Sequence, residues 1–191
     1  METIDVDPDE ARRKLQQAGA EVAEESGGWR ARLGGSVVVE KEGCVGVDGN
    51  VDRVRRMLEG DGSATVYFDG ASRGNPGPAA AAYVVEDADG VVLEDAREIG
   101  DATNNEAEYA ALLDALTEAR ELGYTEVEAV GDSQLIVEQV RGNWRCKADN
   151  LRPLLENVRD VADSFEGFEI RHVPREANEV ADELANEVLD G

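Results

Sequence analysis

The sequence predicts an α/β chain: a five-stranded mixed sheet flanked by helices, preceded by a small αβ N-terminal domain. Three observations lead there. Apolar, β-branched runs follow one another at hairpin spacing between residues 64 and 98. From residue 104 onward, helical and strand-like segments alternate, the pattern of a mixed sheet covered by helices. The charge balance also changes near residue 60: residues 1–60 carry 13 acidic and 9 basic side chains, residues 61–191 carry 30 and 10. That change coincides with Gly60-Asp61-Gly62-Ser63, a linker by composition, and divides the chain into 1–60 and 63–191.

The elements follow in order. Pro8 sits near the first turn of a helix over 8–18 (PDEARRKLQQA). Strands are expected at 20–24, 29–33 and 36–40, the last two joined by Gly34-Gly35, a hairpin signal, and VDRVRRML (51–58) reads as a helix. Beyond the linker come strands 64–69, 79–86 and 90–98, the last two turning at Asp89-Gly90. A long helix at 104–122, a strand at 126–131 and a helix from Ser133 to Val140 come next. A helix at about 150–163, a strand at 168–173 and a closing helix at 179–189 complete the chain. The β-α-β unit around 104–131 should cross over right-handed.

Composition excludes several classes. The 191 residues are 41% apolar, enough for a packed core, but no run of about 18 apolar residues is present to span a membrane. The N-terminus METIDVDPDEARRKL is acidic and lacks an apolar core, so it is not read as a signal peptide, and a cytoplasmic location is expected. Cys44 and Cys146 lie far apart without metal-ligand spacing and read as reduced thiols. The formal net charge is −24, and the cations are 16 Arg against 3 Lys. Periodic Val, Leu, Ala and Ile throughout exclude disorder as its cause. A salt-rich cytoplasm accounts for it: at 1 M salt the Debye length is about 3 Å, self-repulsion is screened, and dense carboxylates keep the surface hydrated.

Four carboxylates fall at element ends. Asp69 ends the strand TVYFD, and Asp132 ends EVEAVGD and opens the next helix. Thr103 and Glu106 form a capping box, which puts Glu108 near the first turns of the long helix. Asn178 is a suitable N-cap for the last helix, with Asp182 one turn in. Sites in α/β sheets collect at the carboxyl edge, where adjacent parallel strands would bring Asp69 and Asp132 together. Singly, each has an ordinary reading as surface charge, N-cap or favourable charge at a helix start. Jointly, clustered carboxylates are unstable unless protonated or neutralised, and Mg²⁺ or Mn²⁺ is the natural neutraliser. Two such ions about 3.5–4 Å apart suit in-line displacement at phosphorus.

FDGASRGNPGP (68–78), TNNEAEYAAL (103–112), GDSQLIVEQ (131–139) and ANEVADELA (177–185) resemble, in order, the four motifs of type 1 ribonuclease H. The similarity spans about 63–189 and implies a ribonuclease H-like fold there. The resemblance also implies endonucleolytic cleavage of the RNA strand of an RNA–DNA hybrid, leaving 5′-phosphate and 3′-hydroxyl ends, with two Mg²⁺ or Mn²⁺ ions per site. It makes Asp69, Glu108, Asp132 and Asp182 the metal-binding carboxylates. Asn75, Asn104, Asn105 and Gln134 match positions at the hybrid's minor groove, where amides can donate to and accept from ribose 2′-hydroxyls. Thr103 matches a residue of the pocket for a DNA-strand phosphate. Duplex RNA stays open as a second partner, and the oligomeric state is undetermined by the sequence. A binding module without catalysis is disfavoured by the four carboxylates, and a DNA-cleaving nuclease by the four amides.

Two departures from the family stand out. The long basic segment of many bacterial relatives is reduced to VRGNWRCKADN (140–150), with Arg141, Arg145 and Lys147 its only cations. In it Trp144 is read as a core-capping aromatic in preference to a base-stacking one. The family's loop His has no counterpart in PREAN (174–178), where Arg175 and Glu176 are the candidates to replace it; the single His, His172, is read as a strand residue. In the first sixty residues WRARL puts Trp29, Ala31 and Leu33 on one strand face and Arg30 and Arg32 on the other, with Arg53, Arg55 and Arg56 as a second basic spot. Three readings of this part stay open: an appendage with its own core, a nucleic-acid-binding module, or a self-association module.

Overall fold

Period-two alternation organises the N-terminal part of the chain. In the computed structural model, which describes residues 1–59 and 62–191, five strands form one antiparallel sheet: β1 (Glu2–Ile4), β2 (Glu21–Glu25), β3 (Gly28–Leu33), β4 (Ser36–Lys41) and β5 (Cys44–Asp48), ordered β1-β5-β4-β3-β2. Helices α1 (Pro8–Gln17) and α2 (Val51–Glu59) complete this unit. Asp7 caps α1 by accepting from the N–H groups of Asp9 and Glu10, and Pro8 follows at the first helical position. The hairpin at Gly34-Gly35 forms as the sequence predicts, with Leu33 opposite Ser36. Two strands go unforeseen. β1 is only three residues long, and β5 carries Gly46 at its centre, a residue depleted in strands.

Trp29, Ala31 and Leu33 face inward with Ile4, Leu15, Val38, Val47, Val54 and Leu58, so this unit has its own apolar core. Trp29 is 4% exposed, which leaves it no face for stacking on a base. Three of the seven arginines of this unit meet local carboxylates: Arg12 pairs with Glu24, Arg30 with Glu25 at 2.6 Å, and Arg55 with Glu2 and Glu59.

The chain divides into two units, Met1–Gly62 with Leu122–Tyr124 and Ser63–Glu121 with Thr125–Gly191. Of the segment read as a linker, Gly60 and Asp61 lie outside the described residues.

The second unit holds the five-stranded mixed sheet. Its strands are β6 (Ser63–Ser72), β7 (Gly77–Asp87), β8 (Gly90–Ala102), β9 (Glu126–Gly131) and β10 (Gly167–His172), ordered β10-β9-β6-β7-β8. β6, β7 and β8 pair antiparallel in succession, while β9 pairs parallel with both β6 and β10. Helices α3 (Asn104–Glu121), α4 (Gln134–Arg141), α5 (Arg152–Ala162) and α6 (Glu179–Asp190) accompany them. β8 runs four residues past its expected end. A register shift at Ala79/Ala80 accommodates the extra Ile99 and lets pairing continue to Ala102.

Small residues set the layer spacing. Ala107, Ala111, Ala115 and Ala119 recur every fourth position of α3 and are fully buried, so the helix lies close on β6 and β7. Closest approach comes at Gly70, where a Cβ would overlap the backbone of Ala107 and Glu108. A Cβ at Gly131 would likewise strike the Phe68 ring. The capping box starts α3 as predicted: Glu106 N–H donates to Thr103 Oγ1 at 3.2 Å, and Thr103 N–H to Glu106 Oε2 at 2.7 Å.

Gly70→Ala should therefore force α3 off the sheet and cost about 1–3 kcal/mol by overpacking. Urea unfolding measures this, and the same substitution at Gly90, where nothing lies within 4 Å but φ is +117°, separates steric overlap from backbone strain.

Candidate active site

Parallel pairing of β6 with β9 brings the first two carboxylates together. Tyr67 stands opposite Val130, so Asp69 and Asp132 follow two residues further on. Asp132 lies just past the end of β9, whereas Asp69 does not end its strand as expected but stays paired with Ala82 inside β6, which runs on to Ser72. Glu108 joins from the second turn of α3, held there by the contact at Gly70. One oxygen from each of Asp69, Glu108 and Asp132 lies within 4.8 Å of the others. Asp182, in the first turn of α6, lines the same cleft of about 410 Å³. The structure thus assembles all four predicted carboxylates around one cleft.

The caps differ in part from expectation. Asp132 is not the N-cap of α4; Ser133 is, accepting from the Ile136 N–H, so the Asp132 carboxylate is left for the cleft. Asn178 sits at the start of α6 as expected, but its side chain makes no cap bond. Instead Asn178 Nδ2 donates to the Phe68 carbonyl at 2.9 Å, tying α6 to the residue before Asp69. The Asn178 amide thus satisfies a buried strand carbonyl in place of the helix start.

Burial and like charge both act on the cluster. Asp69 is 4% exposed, and burial, reinforced by the charges of Asp132 and Asp182, pushes its carboxyl up to about 7. Burial also raises Glu108 well above the ordinary carboxylate range, with Asp69 and Asp132 adding to it. Asp132 is raised by burial too, with Arg175 opposing. Glu108 Oε2 is buried and has no hydrogen-bond partner. A buried acceptor without a donor, beside two further hard oxygens, fits a divalent cation.

The remaining predicted site residues fall around this cleft and along α3. Asn75, in the β6–β7 loop, accepts from the Asn104 N–H through Oδ1 at 3.2 Å, and Asn104 lines the cleft. Asn105 is exposed in the first turn of α3, and Gln134 is exposed at the start of α4. The Thr103 hydroxyl is engaged with Glu106, donating to Oε2 at 2.9 Å.

Two arginines of the cleft carry more than their motifs suggested. Arg175 Nη2 donates to Asp182 Oδ1 at 2.7 Å, and Arg175 lines the cleft. Arg73 also lines the cleft; its position inside SRGNPGP was the available signal. His172 ends β10 as a strand residue, with Nε2 at 3.1 Å from the Asp132 carbonyl oxygen. Trp144 is 45% exposed, so the core-capping reading does not hold. α4 ends at Gly142 in a left-handed conformation, and Trp144 lies past that end with its N–H donating to the Glu138 carbonyl at 3.1 Å.

Comparison with known proteins gives a consistent result. The family model described as reverse transcriptase-like matches residues 67–188. Ribonuclease HI of Halobacterium salinarum is 41% identical over 197 residues, covering 100% of this chain and 99% of that protein. The crystal structure of RNase H1 from the halophilic archaeon Halobacterium salinarum NRC-1 superposes with a TM-score of 0.66 at 48% identity, covering 67% of this chain and 98% of that one. LC11-RNase H1 in complex with an RNA/DNA hybrid gives a TM-score of 0.63 at 37% identity, covering 66% of this chain and 96% of that one. Among the described residues no helix is long and apolar enough to cross a membrane.

The raised Asp69 pKa has a signed consequence. Its neutral form is favoured in the folded protein, so the cluster's stability is greatest below the ordinary Asp value of about 4 and is lost as pH rises to about 7. In EDTA, Asp69→Asn should gain stability relative to the parent between pH 5 and 8, by an amount on the order of a few kcal/mol. Millimolar Mg²⁺ or Mn²⁺ should restore the parent at pH 8 and leave the variant little changed. Thermal melts across this range, with and without metal, measure both effects.

Proposed function

Because the chain belongs to the ribonuclease H family, we propose that it is an endonuclease that hydrolyses the RNA strand of RNA–DNA hybrids, leaving 5′-phosphate and 3′-hydroxyl ends. The observation that carries this reading is the cluster of Asp69, Glu108 and Asp132, two of them buried, with an acceptor of Glu108 left open. A buried like-charge cluster is costly and has no use in a passive binding surface. Two ions, Mg²⁺ or Mn²⁺, held by Asp69, Glu108, Asp132 and Asp182, would supply an acidified water and neutralise the departing 3′-oxygen in an in-line displacement.

The chain's own residues do the rest. Asp69 and Glu108 are held rigidly by sheet and helix, so the ligand geometry needs little reorganisation. Asn75, Asn104, Asn105 and Gln134 read the minor groove, where only the RNA strand offers 2′-hydroxyls. The bond from the Asn104 N–H fixes Asn75 Oδ1 and leaves its NH₂ to donate. Thr103, at the head of α3, takes a phosphate of the DNA strand. Arg175 neutralises Asp182 and hands it over when metal binds.

Residues 63–191 form the catalytic domain in this reading, and residues 1–60 a separate domain with its own core. The charge of −24 fits work in a salt-rich cytoplasm.

Hybrid, duplex RNA and duplex DNA, each labelled on one strand, test the reading in Mg²⁺, Mn²⁺ or EDTA. The RNA strand of the hybrid should be cut only with metal; cutting of duplex DNA instead would sink the proposal. Asp132→Asn should fold normally, because Ser133 supplies the α4 cap, yet lose more than about 100-fold in cleavage rate. The melting temperature should rise between low salt and about 1 M KCl, where the Debye length has shrunk to about 3 Å. A melting temperature flat across that range removes the salt-rich reading and leaves the nuclease reading standing.

A further inference from the structure

Arg73 is a cation at the cleft for which the reading above has no task. It projects from the β6–β7 loop to α6, donating from Nη1 to Asn186 Oδ1 at 2.9 Å and from Nη2 to Asp190 Oδ1 at 2.6 Å. Asn186 in turn donates from Nδ2 to the Asp182 carbonyl at 2.7 Å, so the guanidinium is seated against the turn of α6 that carries Asp182. The backbone beneath it is held firmly. Arg73 N–H donates to the Pro78 carbonyl at 2.8 Å, and Ser72 Oγ donates to the Ala102 carbonyl at 2.8 Å.

The cleft's charges make this position significant. Its described lining holds four carboxylates and two cations, Arg73 and Arg175. Arg175 is bound to Asp182, inside the cluster itself. A polyanionic strand entering the cleft therefore meets Arg73 as the cation outside the metal-binding group. The Arg73–Asp190 pair is exposed on both sides, at 42% and 67% of the side chains, and an exposed pair of this kind is weak and easily exchanged. A guanidinium's planar fork matches the oxygens of a phosphate as well as those of a carboxylate.

Resting on the hybrid-cleaving reading, we infer that Arg73 binds a backbone phosphate of the RNA strand next to the scissile one, exchanging Asp190 for it. Asp190 is then a parking partner that competes with substrate, and Asn186 keeps the guanidinium aimed along the cleft. This contact substitutes at short range for part of the basic segment that the chain lacks.

Steady-state cleavage of hybrid by the full chain, over a KCl series at saturating Mg²⁺ or Mn²⁺, tests the inference. Arg73→Ala should raise KM about tenfold at low salt, as expected for losing one charge-assisted hydrogen-bonded contact, with kcat within about twofold. The slope of log KM against log salt should fall by about 0.7–0.9, the loss of one phosphate contact. Arg73→Lys should recover part of the affinity and the slope, and Asp190→Asn, which frees Arg73, should lower KM. If Arg73→Ala and Asp190→Asn both raise KM, lower the melting temperature and leave the slope unchanged, Arg73 is a clamp between loop and helix and the inference is wrong. An unchanged KM in Arg73→Ala overturns it too. Failure of the parent chain to cut hybrid is a different result, and it removes the proposed function along with this contact.

Discussion

Holding Asp69 and Glu108 together out of water is the constraint on which the second unit turns. Burial raises both carboxyls, the charge of Asp132 raises both further, and Asp69 adds to the rise of Glu108. A flexible chain would relax that repulsion by letting the groups move apart. Here the backbone forbids it: Asp69 continues a paired strand, and Glu108 belongs to a helix in contact with Gly70. The Asn178 bond to the Phe68 carbonyl closes the arrangement from the α6 side. What remains to offset the repulsion is a proton or a cation, and the open Glu108 Oε2 shows where a donor is missing. The site's chemistry thus follows from the rigidity of the sheet edge as much as from the residues displayed on it.

Surface charge poses the same problem on a larger scale. The arginines of the second unit are mostly tied to carboxylates: Arg97 to Asp114, Arg171 to Glu128, Arg141 to Glu138, and Arg175 to Asp182. Such pairs add little stability when exposed. They do leave few cations for a polyanion, so short-range contacts at fixed geometry must take over from a diffuse basic patch. Molar salt weakens diffuse attraction far more than it weakens buried ligation or amide hydrogen bonds. A chain built this way loses less of its hold on substrate as salt rises.

The N-terminal unit has a simpler economy. Its aromatic is core, and three of its arginines meet partners on neighbouring strands and helices. The alternation in WRARL, which put cations opposite Trp29, is real, yet it gives no joint aromatic and basic surface, because the two kinds of residue point to opposite faces of the sheet.

The sequence by itself determined the mixed sheet, the capping box of α3, the hairpin at Gly34-Gly35 and the identity of the four cleft carboxylates, because periodicity, caps and turns are local and leave local marks. Short or glycine-bearing strands such as β1 and β5 left no such mark and exist through their neighbours. Tertiary structure alone decided that Ser133 rather than Asp132 caps α4, that Asn178 bonds a strand instead of its own helix, and that Trp144 stands in solvent. It also decided which carboxylate each arginine meets, placing Arg73 on Asp190 across 117 residues of chain. Side chains as long as arginine choose among many partners within reach. In a chain with 43 acidic residues only the packed backbone limits that choice.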